Sequence, residues 1–320
     1  MSSIIFTTPL AKAGLVTIAN FLEVNEELHL KLVEAGLVPT DDTGQWDFTS
    51  ADTAVGGSKH YGYRLYKLND GNALDVFLRI DFYGGAAAGS ANRMAWSIGV
   101  SIGLATDGAG VMSPKTQDVR LASASGWVET APALLGVGVN SLISVSNGFV
   151  GVSWKQGVAN HAASYLPSIM DLVPLASFFV CRDTDDSGDP TSDGVTLVCI
   201  APGGLAYNSA GGAPRALHLD KHGVQTISDR AALAIGADTV SAVGGKVPVY
   251  NIYTMTPEPR RISQLAVVQK PAGVGVGVQD TMLATVGIVE KPFKVMHSCW
   301  PADVHTGPGS RACMAMLWEE

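Results

Sequence analysis

The stretch YGYRLYKLNDGNALDVFLRIDFYGG, residues 61–85, decides the fold. Tyr61, Tyr63 and Leu65 alternate with smaller or polar residues, and after the turn LNDGN the apolar Val76, Leu78, Ile80 and Phe82 alternate with Phe77, Arg79 and Asp81. An alternation of period two is typical of a half-buried strand, and two such runs around a Gly-containing turn predict an antiparallel hairpin.

The same style continues on both sides of this hairpin. The runs AWSIGVSIG, SLISVSNGFVGVSW, ASFFVCRDT, VTLVCIAPGG, VPVYNIYTM, RISQLAVVQK, TMLATVGIVEKPFKVM and ACMAMLWE all have strand character. Short strands separated by Gly and Pro loops are typical of a sandwich or barrel. The sequence therefore predicts a mainly β fold, a β-sandwich or jelly-roll-like set of antiparallel sheets, with residues 51–320 forming one β-rich region.

A short helical segment precedes the strands. In NEELHLKLVEAG, Asn25 is a good N-cap, Leu28, Leu32 and Ala35 recur at helical spacing, and Gly36 fits the position after the last turn. We expect residues 1–50 to form a helical and extended segment that packs on the β region.

The composition favours assembly. The 320 residues carry a formal net charge of −8, only 16% are charged, and 36 are glycine. An acidic chain fits poorly to direct nucleic-acid binding, and no uninterrupted apolar run is long enough to cross a bilayer. Low charge indicates surface hidden against neighbouring copies, as in an obligate homo-oligomer. A Gly- and Ala-rich monomer remains the alternative on composition alone.

The four cysteines have no short metal or redox spacing. Cys181 and Cys199 fall in strand-like runs, and Cys299 and Cys313 lie near the end of the chain. We expect four reduced thiols, although spacing alone does not decide their disulfide state.

One acidic loop invites a calcium site. Asp183, Asp185 and Asp189 supply oxygens at alternating positions, with Gly188 at the sixth position of the loop. This pattern matches the beginning of an EF-hand loop, but the twelfth position is Gly194, which offers no ligand side chain. A solvated turn is the preferred interpretation, and Ca²⁺ stays open as the alternative cofactor.

The remaining chemistry-bearing patterns are incomplete. His218 and His222 have the spacing of two metal ligands on a helix, and His297 with Cys299 could form a pair of soft ligands. The Gly-rich 272–278 stretch lacks the features of a phosphate-binding loop. No nucleophile elbow or singled-out carboxylate pair is present, so we expect a protein that is not an enzyme.

The order of several motifs carries a resemblance. PTDDTGQWDF at 39–48 is followed by GYRLYKLND at 62–70, VFLRIDFYGG at 76–85 and WSIGVSIGLATDGAG at 96–110. In this order the chain resembles a group of tailed-bacteriophage proteins that are virion-associated or of unassigned function. PVYNIYTMTPEPRRISQL and SRACMAMLWEE are also similar to that group.

The resemblance implies a structural protein of the tail, the neck or collar, or the capsid surface. Such a protein is made in the host cytoplasm, is found in the virion and works with other virion proteins; no catalytic residue is implied. The candidates for assembly contacts are Tyr61, Tyr63, Arg64, Arg79 and Asp81, with Arg64 and Arg79 expected near Asp70 and Asp81.

Two other functions stay open. The aromatic residues of the hairpin could form a glycan-stacking or receptor-binding platform of a tail appendage, although core packing is the preferred interpretation for most of them. The third alternative is a polysaccharide-degrading enzyme, which would require two carboxylates facing each other across a cleft.

Overall fold

A computed structural model describes residues 1–7, 18–51, 59–86, 94–122, 134–135, 140–154, 156–157, 176–200, 215–228, 231–233, 249–254, 260–270, 280–286, 289–296 and 311–319. It contains one helix and twenty strands in these ranges. In chain order they are β1 Ser3–Thr7, α1 Ile18–Ala35, β2 Val38–Pro39, β3 Lys59–Lys67, β4 Phe77–Ala86, β5 Met94–Gly103, β6 Val119–Ala122, β7 Leu134–Leu135, β8 Asn140–Ser146, β9 Phe149–Trp154, β10 Gln156–Gly157, β11 Ala176–Thr184, β12 Pro190–Ile200, β13 Arg215–Asp220, β14 Gln225–Ser228, β15 Ala231–Leu233, β16 Val249–Thr254, β17 Arg261–Lys270, β18 Thr281–Val286, β19 Val289–Val295 and β20 Arg311–Leu317. The prediction of a mainly β chain with an N-terminal helix is confirmed.

The helix begins earlier than the sequence predicts. Asn25 was expected to cap its first turn, but α1 begins at Ile18 and Asn25 lies fully buried in its middle. There the Asn25 amide donates to the Phe21 carbonyl at 2.7 Å. Burial of Phe21 on the preceding turn stabilises helix beyond the expected cap, because tertiary packing outweighs local propensity. The end is as predicted, at Gly36 with a φ of +117°.

The strands form three large antiparallel sheets. The five-stranded sheet has the order β2-β3-β4-β5-β6, the seven-stranded sheet β1-β8-β9-β11-β12-β13-β14, and the six-stranded sheet β15-β16-β17-β20-β19-β18. A two-residue pair, β7 with β10, stands apart from them. The hairpin predicted at 61–85 is present as β3–β4, and further hairpins are β8–β9 around Asn147 and Gly148 and β11–β12 around the acidic loop.

The three sheets stack in layers with the seven-stranded sheet in the centre. One face of this central sheet packs on α1 and the five-stranded sheet through residues such as Val180 and Ile80. Its other face packs on the six-stranded sheet through residues such as Phe179 and Met316. The central strands are therefore buried on both sides, and Val195–Cys199 of β12 is buried without interruption. The fold is therefore a sandwich of three stacked sheets, one more than the two sheets of the simplest sandwich.

Polar side chains link the layers at a few buried points. Arg182 of β11 forms an ion pair with Asp70 in the β3–β4 turn of the five-stranded sheet. On the other side of β11, Asp183 accepts hydrogen bonds from His218 of β13 and from Arg260, directly before β17. The Arg182–Asp70 pair joins two groups whose charges would be costly to bury alone, so it constrains how these two layers meet.

Small residues of β5 allow close approach from outside the core. A Cβ on Gly103 would lie 2.7 Å from the Met112 Cβ and 3.1 Å from the Pro114 carbonyl oxygen. The segment after β5 thus folds back onto the outer face of the five-stranded sheet. No helix among the described residues is long and apolar enough to cross a membrane.

Candidate functional site

The outer face of the five-stranded sheet carries a network of polar residues that we call the clasp. It consists of Asp42, Tyr63, Arg79, Asp81 and Gly110, which come from β3, β4 and the two loops that cross them. Residues 39–44 and 106–110, which lie in two of the motifs quoted from the sequence, meet here in space.

Tyr63 is the centre of the clasp. Its hydroxyl donates to the Thr43 carbonyl at 2.5 Å, and the Arg79 guanidinium lies 4.0 Å from the centre of its ring. Gly110 packs directly on the ring, so that a Cβ there would lie 2.1 Å from the phenolic oxygen. Burial raises the pKa of Tyr63 above its ordinary value, although the Arg79 charge opposes this shift. The phenol therefore acts as a neutral hydrogen-bond donor.

Asp42 joins the two loops. Its Oδ2 accepts hydrogen bonds from the Thr106 hydroxyl and from the Gly110 N–H, the latter at 2.9 Å. Beside it, the Thr43 N–H donates to the Gly108 carbonyl at 2.9 Å. Burial alone would raise the pKa of Asp42, but hydrogen bonds to the carboxylate outweigh burial and lower it. The ionised carboxylate thus holds both loops together.

Arg79 and Asp81 form the floor of the clasp. The guanidinium donates from Nε and Nη2 to the two Asp81 oxygens at 2.9 and 2.7 Å, and from Nη1 to the Gly110 carbonyl at 2.5 Å. Burial lowers the pKa of Arg79, but its bonds to Asp81 outweigh that effect and the net direction is upward. His60 Nε2 lies 2.8 Å from Asp81 Oδ1 at the exposed border of the network.

The contacts of this arrangement hold two loops on the sheet. A histidine beside a carboxylate is the pair used in general-base catalysis, but here the Asp81 carboxylate is neutralised by a two-point contact with Arg79. The described polar groups of the clasp bond to one another and fix the loops on the sheet. The result is a braced loop that presents Val111, 59% exposed, at its outer end.

The structure brings only some of the assembly candidates together. Tyr63, Arg79 and Asp81 meet in the clasp, whereas Tyr61 and Arg64 lie on the inner face with α1. The alternation predicted Tyr61 beside Tyr63, which is wrong because the pairing register shifts between His60 and Gly62. This bulge turns Tyr61 towards the aromatic rings of α1 and its neighbours.

The expected arginine pairing is partly wrong. Arg79 does pair with Asp81, but the two are neighbours on one face of β4 and do not link separate strands. Asp70 pairs with Arg182 of the central sheet. Arg64 instead places its guanidinium 5.0 Å from the centre of the Phe48 ring. The spacing of residues within a hairpin cannot predict a contact between two sheets such as that of Asp70 with Arg182.

The proposed calcium ligands point in different directions. Asp183 is directed to His218 and Arg260, and Asp185 Oδ1 accepts the N–H groups of Ser187 and Asp189 at 2.9 Å in a turn. Asp189 is exposed on the surface. Within the described ranges no three His, Cys, Asp or Glu side chains are grouped as metal ligands. The turn interpretation accounts for this loop.

The other candidates separate as well. His218 is buried beside Asp183, whereas His222 lies exposed in the β13–β14 turn, so the two imidazoles do not form a pair. Cys181 and Cys199 are both buried and pack in opposite cores, and burial raises the pKa of Cys181. His297, Cys299, the Cys313 side chain and the 272–278 stretch lie outside the described residues.

Sequence reasoning missed Asp42 and Gly110 as members of the clasp, and Thr106 as the hydroxyl that donates to Asp42. They lie in the quoted motifs PTDDTG and TDGAG, but their contacts join positions 64 and 68 residues apart. The motifs were the available signal, and only the fold reveals that they touch.

Comparison with family models, with curated proteins and with solved structures found no match for this chain.

Proposed function

We propose that this protein is a non-enzymatic structural component of a tailed-phage particle, in the tail, neck or collar, or capsid surface, and that it works as one copy in a homo-oligomer. The observation that carries the proposal is the clasp. Motif residues that resemble the phage group, including Asp42 and Tyr63, are engaged with the protein's own backbone and side chains. Motif residues whose hydrogen bonds hold the protein's own loops in place support a structural role.

The layered core supports the same role. A central sheet covered on both faces leaves little of its surface for a ligand, and ion pairs such as Arg182–Asp70 are used inside the fold. Particles built from many symmetric copies need rigid units whose surfaces are held in place before assembly, because preorganisation lowers the cost of association. The braced loop ending near Val111 is a surface of this kind.

Two measurements test the proposal together. We expect quantitative mass spectrometry of gradient-purified phage particles to find the chain at a fixed copy number, and native mass spectrometry of the purified protein to show a symmetric oligomer. Hydrolysis of host polysaccharide by the purified chain, lost on changing one carboxylate, would contradict the non-enzymatic role. Absence from particles together with a monomeric state at micromolar concentration would refute the whole proposal.

A further inference from the structure

The six-stranded sheet ends on a strand that has one neighbour. All six residues of β18 pair with β19, from Thr281 opposite Lys294 to Val286 opposite Val289, without a register shift. In the sheet order β18 is the last strand, so its outer backbone groups have no strand partner among the described residues. An open edge of this kind is a template for another strand.

The side chains of β18 divide into an anchored and an exposed set. Ala284 is buried and Met282 is half-buried against the core between the central and six-stranded sheets. Thr281, Leu283 and Thr285 alternate with them and are exposed, and Leu283, at 65%, is the most exposed of the large hydrophobic residues described. The strand is thus held firmly on one face and offers an apolar residue on the other.

Some of the other described edges of the three large sheets carry devices that hinder strand addition. β2 is two residues long and ends in Pro39, and β6 carries Arg120. β1 is also uncharged, but directly before it the Ser2 N–H donates to the Ala35 carbonyl of the helix at 2.9 Å. β18 has no charge, no proline and no bulge.

From these features we infer that β18 is the contact between two copies of this chain, which join their six-stranded sheets by antiparallel pairing about a twofold axis. This inference rests on the proposed homo-oligomeric function and names the surface that serves it. A second copy fits because twofold pairing sets the strand against itself. Since no residue of Thr281–Val286 is charged, pairing within these six residues sets no like charges opposite each other and buries no unpaired charge.

The size of the contact sets its strength. Six residues in a strand span only about 20 Å. Pairing along so short an edge buries much less area than the roughly 1,600 Å² of a stable standard interface. The isolated pair is therefore weak and dissociable, and it persists in a particle only because many copies are held together. Burial of Leu283 against the partner copy gives the contact its apolar part.

The test uses the full chain and two lysine variants. Sedimentation equilibrium between about 1 and 100 μM should show reversible dimers for the wild type, and Leu283→Lys should weaken dimerisation at least about tenfold by setting two like charges close together. Leu30→Lys changes an exposed leucine of α1 and should leave dimerisation unchanged. Circular dichroism and the thermal midpoint establish that both variants are folded.

A crosslink gives a second measurement. Leu283→Cys should form a disulfide-linked dimer under mild oxidation, whereas Leu30→Cys should not. If the wild type associates but Leu283→Lys has no effect and the Leu283→Cys variant does not crosslink, the β18 contact is wrong and the homo-oligomeric function stands. If the chain is found in particles yet stays monomeric and uncrosslinked, this inference alone fails. A monomer absent from particles overturns both.

Discussion

The ion pair between Arg182 and Asp70 is expected to contribute strongly to stability through the cost of breaking it. The guanidinium donates from Nε and Nη2 to the Asp70 oxygens at 2.5 and 3.0 Å, and from Nη2 to the Leu74 carbonyl at 2.7 Å. The two side chains are only 0% and 2% exposed. Removing either charge therefore leaves the other one inside the protein without its counter-ion, where water cannot replace the lost contact.

We expect Asp70→Asn to lower the free energy of unfolding by about 3–5 kcal/mol, the usual cost of an unpaired buried charge. Arg182→Met should also be costly. The double variant should be more stable than the sum of the two single losses predicts, by about 2 kcal/mol, because it removes both charges together. Equilibrium urea unfolding measures all three, at one protein concentration because association itself adds stability.

A control lies on the same hairpin. The exposed pair of Lys67 and Asp75 has a similar distance of 2.8 Å, but its side chains are 41% and 50% exposed. Asp75→Asn should cost less than about 1 kcal/mol. Equal losses for Asp70→Asn and Asp75→Asn, or strictly additive effects of Asp70→Asn and Arg182→Met, would refute the reasoning that burial sets the cost.

Two further predictions concern the clasp and the helix. Gly110→Ala should lower the free energy of unfolding by about 3 kcal/mol, because the new Cβ would clash with the Tyr63 ring and alanine is strained at a positive φ. Gly108→Ala has a similar φ but open space around it, so it should cost only about 1 kcal/mol. Thermal or urea unfolding measures both, and equal losses would count against the clasp. Burial and the Arg64 charge lower the pKa of His29 from 6.5 to about 4, so the unfolded chain binds the proton first and stability falls as pH drops from 6.5 towards 4. Near pH 5 the loss of stability should be about 1 kcal/mol, after allowance for solvent screening of the half-buried ring. The free energy of unfolding of His29→Gln, measured at pH 7 and pH 5, should lack this loss. The same pH dependence in wild type and His29→Gln would contradict the prediction.

Local features of the fold were predictable because a hairpin is encoded by neighbouring residues. The turn at Asn147 and Gly148 sets the β8–β9 pairing, and Gly148 has the positive φ of +72° that such turns require. The predicted first residue of α1 was wrong because burial of Phe21 and Val24 in the core stabilises the helix before Asn25. Propensity in the sequence does not contain that contribution.

The candidate site was less accessible to sequence reasoning. Tyr63, Arg79 and Asp81 were chosen from one hairpin, and their common face follows from the period of two. The contacts with Asp42 and Gly110 depend on two loops closing over that face, which no local spacing specifies. Tyr61 was misplaced by a single-residue bulge, a change that reverses the direction of a side chain.

A sheet covered on both sides creates a problem of alignment for its own strands. Where one face meets water, slipping a strand by a single residue exposes its apolar side chains, and that penalty keeps neighbours in step. The central strands of this sheet have no water-exposed face to supply this penalty, so hydrogen-bonding side chains between them must do so. Ser153 and Ser177 lie opposite each other, and their hydroxyl groups form a hydrogen bond of 3.0 Å that fits only one register. A shift by one residue would leave both hydroxyls buried without this hydrogen bond.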